Sequence, residues 1–113
     1  MAVQTVGEKN SLATKYGTDA AYAALYTTVP GATAGTEVTG GSPAYARKAL
    51  TWSAPSNGII TATATFDVPA GVTVAGTGFH TAATGGTYLD GQALSQAFAS
   101  QTPYVVTFTY TQS

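Results

Sequence analysis

The sequence predicts an all-β protein with a single antiparallel β-sandwich or jelly-roll-like domain. Apolar and polar side chains alternate strictly in two long runs, as in strands, where successive side chains point to opposite faces of a sheet. The two runs are residues 59–68, IITATATFDV, and residues 104–112, YVVTFTYTQ. Turns rich in Gly, Pro and Asn separate the apolar runs about every 8 to 12 residues, a spacing typical of antiparallel sandwiches and barrels.

Length and composition limit what this domain can do. The chain has 113 residues and a mass of 11.4 kDa, which allows one domain with a modest core. Four basic and five acidic residues give a net charge of −1, and four basic side chains are too few to neutralise a nucleic-acid backbone. No apolar run approaches the roughly 18 residues of a membrane span. The N-terminus lacks a signal-peptide pattern, and cysteine is absent. We therefore expect no nucleic-acid partner, no membrane contact and no disulfide.

Residues 1–19 differ from the rest of the chain. They hold four of the nine charged residues and show no period-two alternation. We expect an N-terminal arm or a short helix here, ahead of a β-sandwich domain over residues 20–113. In the helical alternative, Asn10 or Ser11 would be the N-cap, and Gly17 would end the helix after one or two turns.

Strands and turns follow one another through the β domain. The predicted strands, in order, are residues 21–28, 45–52, 59–68 and 104–112. The predicted turns and connections are residues 29–43, the Asn57-Gly58 hairpin turn, residues 68–71 and residues 82–87. Residues 91–100 are ambiguous, because Leu94, Ala97 and Phe98 recur at helical spacing. The neighbouring strands favour an extended connection or one helical turn there.

The two alternating runs also predict which side chains form the core. In residues 59–68 the even-numbered positions, from Ile60 to Phe66 and Val68, are apolar, and the odd-numbered positions are mostly Thr. In the final run Val106, Phe108 and Tyr110 share one face. We expect these apolar faces to be buried, since successive strand residues point to opposite sides.

Catalytic chemistry has little support in the sequence. His80 is the one histidine, and a Ser-His-Asp triad could be written with Asp67 or Asp90, but no G-x-S-x-G motif is present. We expect His80 to pack or face solvent at a strand end beside Phe79. The five acidic residues are scattered, without the spacing of a metal site or a paired-carboxylate cleft. We therefore expect no enzyme, no metal and no cofactor.

Two features favour contact with a partner. The Thr faces of the two best strands are uncharged and repetitive, which suits either a solvated surface or a sheet packed on another subunit. Residues 42–52, SPAYARKALTW, concentrate Tyr, Arg and Trp, the residue types that anchor interfaces. The alternative is a strand with Leu50 and Trp52 in the core and Arg47 extended towards solvent. The candidate contact residues, including those of the N-terminal arm, are Val3, Val6, Leu12, Tyr45, Arg47 and Trp52.

Several motifs occur in an order that resembles a known family. They are ALYTTVPGATAGTEVTGGSPAYARKALTW, then a strand ending in FDVPAGVTV, then TAATGGTYLDGQALS. Over roughly residues 20–95 the chain resembles small virion structural proteins of tailed bacteriophages that infect actinobacteria. That family is described either as minor capsid or decoration proteins or as tail-fibre-like proteins, and the resemblance implies no catalytic residues.

The resemblance implies a capsid decoration or minor capsid protein that binds the outside of the head and stabilises it. Its partners would be the major capsid protein and copies of itself, for instance in a trimer. It would be made in the host cytoplasm and located on the capsid surface of the virion. A tail-fibre or minor tail protein is the alternative within the virion. A carbohydrate-binding module, contacting glycans through exposed Tyr and Trp, is the alternative from another class.

Overall fold

The computed structural model describes residues 3–113, which contain six strands and one helix. Met1 and Ala2, the first residues of the predicted arm, lie outside the described residues. The elements, in chain order, are α1 Val6–Asp19, β1 Tyr22–Tyr26, β2 Lys48–Ala49, β3 Ile59–Val68, β4 Val72–His80, β5 Tyr88–Phe98 and β6 Thr102–Thr111.

The strands form two antiparallel sheets that enclose the core. One sheet has four strands in the order β2-β1-β4-β5, and the other pairs β3 with β6. The chain passes from one sheet to the other three times, between β2 and β3, between β3 and β4, and between β5 and β6. Buried residues of both sheets meet in between, among them Leu25, Phe66, Val74 and Phe108. The predicted all-β sandwich with a short helix is confirmed.

Burial along β3 follows the sequence alternation residue by residue. Ile60, Ala62, Ala64, Phe66 and Val68 are at most 5% exposed, whereas the Thr residues between them are exposed. On β6, Phe108 is buried and Thr107 and Thr109 are exposed. The core-facing sides of both strands are therefore the predicted ones.

The Asn57-Gly58 pair forms the predicted turn just before β3. Both residues have positive φ, 51° and 77°. The flanking Ser56 and Ile59 exchange two backbone hydrogen bonds of 3.0 and 2.9 Å between N and O. Two central residues with positive φ are the signature of the hairpin turn that Asn-Gly favours.

Residues 91–100 are neither a connection nor a helical turn, because most of them belong to β5. Leu94 and Phe98 are four residues apart and both half-buried. A spacing of four places side chains on one face of a strand as well as on one face of a helix, so the pattern alone cannot separate the two. Pairing with β4 decides the outcome. The predicted strand over residues 45–52 is reduced to the two residues of β2.

The helix is longer than predicted and begins earlier. Thr5 is its N-cap, and Thr5 Oγ1 accepts a hydrogen bond of 3.2 Å from the N–H of Glu8. This T-x-x-E spacing is typical of a capping box. Asn10, predicted as a cap, instead accepts a hydrogen bond of 2.8 Å from the N–H of Gly58 in the hairpin turn. It thereby joins α1 to the start of β3.

Gly17 lies inside α1 instead of ending it, and its lack of a side chain allows the helix to approach β3 closely. A Cβ atom at Gly17 would come within 3.0 Å of Ile60 Cδ1 and 3.1 Å of Trp52 Cγ. Ala13, one turn earlier, is fully buried. The side of α1 that carries these two small residues therefore rests on the sandwich.

The long connection between β1 and β2 covers the outer face of the four-stranded sheet. Pro30 lies over Gly76 and Gly91, where any Cβ would collide with its ring. The hydroxyl of Tyr88 on β5 donates a hydrogen bond of 2.8 Å to the carbonyl of Gly31. This sheet is thus covered on both sides, by the second sheet and by the connection.

Candidate functional site

The three predicted contact residues of the N-terminal segment are accessible to different degrees. Val3 precedes α1 and is half-buried. Val6 and Leu12 lie on the outer side of α1, with 51% and 37% of their surface exposed. Their apolar side chains therefore face solvent, and contact with a partner stays a prediction for all three.

Arg47 joins two loops of its own chain. Its Nε and Nη2 atoms donate to the carboxylate of Glu37, each with a shortest distance of 3.0 Å. Its Nη1 atom donates to the carbonyl oxygens of Ala82 at 3.0 Å and Gly85 at 2.9 Å. Only 11% of the Arg47 side chain is exposed, so it does not extend towards solvent as the alternative expected. The connection between β1 and β2 is thereby fixed to the β4–β5 loop.

Tyr45 completes this cluster. Its hydroxyl donates to Glu37 Oε2 at 2.8 Å and accepts a hydrogen bond of 2.9 Å from the N–H of Leu25 on β1. Burial alone would raise the pKa of Glu37, but hydrogen bonds from Arg47 and Tyr45 outweigh it and hold that pKa below its ordinary value. The polar groups of two predicted interface residues are thus engaged within the chain, and their contact with a partner stays a prediction.

Trp52 belongs to an aromatic cluster that attaches α1 to the sheets. Its Nε1 donates to the carbonyl of Ala20 at 2.9 Å. Its ring packs edge-on against Phe79 on β4, with ring centroids 5.6 Å apart, and against Tyr16 on α1, at 6.4 Å. The ring is half-buried. This arrangement agrees with the alternative in which Trp52 packs in the core, because all of these partners of Trp52 belong to its own chain.

A cleft separates the facing edges of β5 and β6, at the margin of the sandwich. Its volume is about 270 Å³, and its walls include Leu94, Val106 and Phe108. Tyr16 lies at one end, stacked on Tyr110 with ring centroids 3.7 Å apart and an interplanar angle of 6°. Polar side chains, among them Asp90, Gln92 and Thr109, line the rest of this gap between two strand edges that share no sheet.

Tyr16 is tied to β5 by a charged partner. Its hydroxyl donates to Asp90 Oδ2 at 3.0 Å. Burial, then the negative charge of Asp90 and this hydrogen bond, raise the pKa of Tyr16 above its ordinary value. At neutral pH the group is thus a hydrogen-bond donor, and it holds the helix against β5.

The outer face of β3 and β6, here called the Thr face, is uncharged along four cross-strand pairs. The pairs are Ile59–Thr111, Thr61–Thr109, Thr63–Thr107 and Thr65–Val105. The hydroxyl oxygens of Thr63 and Thr107 lie 3.4 Å apart, and Val105 is 59% exposed. The face is on the surface of the folded chain, as predicted, and both predicted uses of it remain open.

His80 packs at the end of β4, in agreement with the sequence prediction. It is 5% exposed, and its Nε2 is hydrogen-bonded to the hydroxyl of Tyr26. Asp67 lies 3.7 Å from Lys48 Nζ, and Asp90 accepts its hydrogen bond from Tyr16, so neither carboxylate is bonded to His80. No group of three or more metal-binding side chains occurs among residues 3–113. In the same range, no helix is long and apolar enough to cross a membrane.

Comparison with known proteins identifies the family. Residues 12–112 match the model of a family described as "Podophage GP4 fiber I protein gp80". The chain belongs to this podophage fibre family. No curated protein and no solved structure matches the chain. Membership of a fibre family supports a phage virion protein, as the sequence resemblance implied, and gives the chain a virion location. It does not support a capsid decoration or minor capsid protein, and it indicates no actinobacterial host.

Proposed function

We propose that this chain is a structural subunit of the phage tail, acting as a tail-fibre or minor tail protein. The match of residues 12–112 to a fibre family carries this proposal, because it covers α1 from Leu12 onwards and every strand. The fold agrees with such a role. It is elongated, 46 by 24 by 24 Å, and built mainly of long antiparallel strands.

Binding to neighbouring proteins, without catalysis, is the activity that we propose. The polar groups near the sandwich are paired with one another: Arg47 with Glu37, Tyr16 with Asp90 and His80 with Tyr26. Groups used in this way stabilise one conformation of the chain. The surfaces left for contact are the uncharged Thr face and the exposed apolar side chains Val6 and Leu12 on α1.

Glycan binding has less support than assembly. That alternative needs exposed Tyr and Trp rings on which a sugar can stack, yet Trp52 packs against Phe79 and Tyr16 stacks on Tyr110. The cleft beside them has a mixed lining, in which apolar side chains such as Leu94 and Val106 lie beside Asp90 and Gln92. Its volume of about 270 Å³ is smaller than that of a typical ligand pocket.

Location in the virion tests the proposal directly. Purified particles would be separated into heads and tails, and the chain would be quantified in each by mass spectrometry against the major proteins of each part. We expect it in the tail fraction, in a copy number that matches the symmetry of the tail. Recovery with DNA-filled heads, in a number that matches the capsid lattice, would contradict the proposal and restore the decoration hypothesis.

Leu12 provides a test of the predicted partner contact. We expect Leu12→Glu to fold normally, because Leu12 faces solvent, and to reduce incorporation into particles that lack the native protein. Ser11→Glu is the control, because Ser11 is exposed on the same helix and the substitution adds the same charge. Equal incorporation of both variants would mean that the apolar outer side of α1 contacts no partner.

A further inference from the structure

The free edge of β6 has no pairing partner within the described residues. β6 is hydrogen-bonded to β3 on one side only. Its other edge faces β5 across the cleft, but β5 belongs to the other sheet. A strand with one unpaired edge presents a row of backbone N–H and C=O groups that another strand can bind.

The register of β3 and β6 shows which backbone groups point to that edge. Gln112 N donates to Gly58 O at 2.9 Å, so residues 58 and 112 face each other through hydrogen bonds. In an antiparallel pair this pattern repeats at every second residue. Even-numbered residues of β6 therefore bond to β3. Thr61, an odd-numbered residue of β3, agrees with this alternation. Its N–H and C=O groups point away from β6 and are hydrogen-bonded to Ser53.

Odd-numbered residues of β6 consequently direct their backbone groups to the free edge. Four of them carry an N–H group: Val105, Thr107, Thr109 and Thr111. The fifth is Pro103, which has no N–H and is tolerated in strands mainly where that group would face away from the ladder. The position of this proline fits an edge with no partner inside the chain.

The other long strand edges of the sandwich each carry a charge, whereas this one does not. The outer edge of β3 is bonded to Ser53 at Thr61, and Asp67 near its end lies 3.7 Å from Lys48. β5 carries the exposed carboxylate of Asp90. β6 has no charged residue in ten positions, and natural proteins commonly use charges to prevent strands from pairing at an edge.

We propose that the free edge of β6 pairs, antiparallel, with the free edge of β6 in a second copy of this chain. Such an edge is complementary to itself, because a two-fold axis brings each row of N–H and C=O groups against an identical row. An uncharged strand also meets no charge repulsion from its copy. The pairing would join two two-stranded sheets into one of four strands.

Partly exposed side chains on β6 also favour a second copy of this chain as the partner of its free edge. Tyr104, Val106 and Tyr110 point inwards yet remain half-buried, whereas the inward residues of β3 are at most 5% exposed. A partner strand beside β6, with the same alternation of aromatic and aliphatic residues, would cover them. This inference does not depend on whether the dimer is part of the tail or the head.

A matched pair of variants tests the proposal. Thr107 and Thr63 are cross-strand partners on the Thr face, both exposed, with their hydroxyls 3.4 Å apart. Thr107→Lys places a charge on β6, at the proposed interface, and Thr63→Lys places the same charge on β3, one strand away. Sedimentation equilibrium on the full chain would give the dimer dissociation constant for each, and thermal melting would confirm that each is folded.

We expect the unaltered chain to form a dimer of twice 11.4 kDa. Thr107→Lys should weaken dimerisation by roughly tenfold or more, and Thr63→Lys by less than about threefold. Amide exchange followed by NMR should show the N–H groups of Val105, Thr107 and Thr109 protected at dimer-forming concentrations and exchanging faster on dilution. Thr107→Pro, which removes one edge N–H without adding charge, should also weaken the dimer.

Three outcomes would overturn the proposal. One is a species of 11.4 kDa at every concentration up to about 1 mM. Another is equal weakening by Thr107→Lys and Thr63→Lys, which would mean that the Thr face itself packs on a partner. The third is a dimer in which the odd-numbered amides of β6 exchange as fast as in the monomer.

Discussion

β3 and β6 are paired along ten residues and share the same alternation, but their surroundings differ. The inward residues of β3 are at most 5% exposed, because β3 lies between β6 and the segment around Ser53, with α1 packed nearby. The inward residues of β6 are half-buried except for Phe108. Alternation thus determines which face of a strand turns inwards, and neighbouring elements determine how completely it is covered. β3 is covered by its own chain, and β6 keeps one edge unpaired.

The largest effect should come from truncating one aromatic residue on each strand. Phe66 and Tyr104 are cross-strand partners, but Phe66 is 0% exposed and Tyr104 is half-buried. Phe66→Ala should lower the free energy of unfolding by about 3 to 5 kcal/mol, and Tyr104→Ala by about 1 to 2 kcal/mol. Urea denaturation of both variants, at a concentration where the chain is monomeric, measures the difference. Equal losses would show that the two strands are equally covered.

Gly17 offers a second test on the covered side of β3. A side chain at this position would press on Ile60 and Trp52, so Gly17→Val should cost about 1 to 3 kcal/mol in stability. Gly7 is the matched control, because it lies in the same helix and a Cβ atom there would meet no neighbouring group within 4 Å. Gly7→Val should therefore change the melting temperature much less. Similar shifts in both would mean that α1 does not press on β3.

The sequence predicts β3 and β6 well because their pattern is local, whereas it does not predict β4 as a strand. Residues 59–68 alternate from one residue to the next, and the burial of Phe66 follows from that order alone. The start of α1 also has a local signal, since Thr5 and Glu8 stand three residues apart as in a capping box, but the prediction of Asn10 or Ser11 as the N-cap missed it. The length of β5 is different, because it depends on pairing with β4, and a spacing of four residues fits strand and helix alike.

The contacts of the candidate site are not local, and the sequence could not predict them. Arg47 meets a carboxylate in an irregular connection and two carbonyls in a distant loop. Tyr16 meets Tyr110 only because α1 folds back over the ends of β4 and β6. Arg and Trp in one segment predicted an interface, but the same residue types also make good internal contacts. Their use depends on which neighbours the fold brings to them.

A smaller effect is expected where α1 is joined to the beginning of β3. Asn10 accepts a hydrogen bond of 2.8 Å from the N–H of Gly58, and its removal leaves that donor without its partner. Asn10→Ala should lower stability by about 1 kcal/mol. Ser11→Ala, on the exposed side of the helix, should be close to neutral. Equal melting temperatures for both variants would show that this hydrogen bond does not stabilise the attachment of α1 to β3.

The smallest expected effect comes from acid, which should weaken the fold without acting on the edge of β6. Burial, with a contribution from the positive charge of Arg47, holds the pKa of His80 below its ordinary value, although the Glu37 carboxylate opposes the shift. The unfolded chain therefore takes up a proton on His80 at a higher pH than the folded chain does. Stability from this residue is complete above a pH of about 6.5 and decreases as the pH falls below it.

Thermal melting between pH 7 and pH 5 tests this assignment. We expect the melting temperature to fall with pH, and to fall less in His80→Asn, which keeps a polar group beside Tyr26 but does not titrate. β6 carries no Asp, Glu, His, Lys or Arg side chain. Dimerisation should therefore be unchanged between pH 7 and pH 5 while the chain remains folded. Parallel pH profiles for the unaltered chain and His80→Asn would exclude His80 as the source of acid sensitivity. Weakening of the dimer between pH 7 and pH 5 in step with the melting temperature would show that acid also acts on the edge of β6.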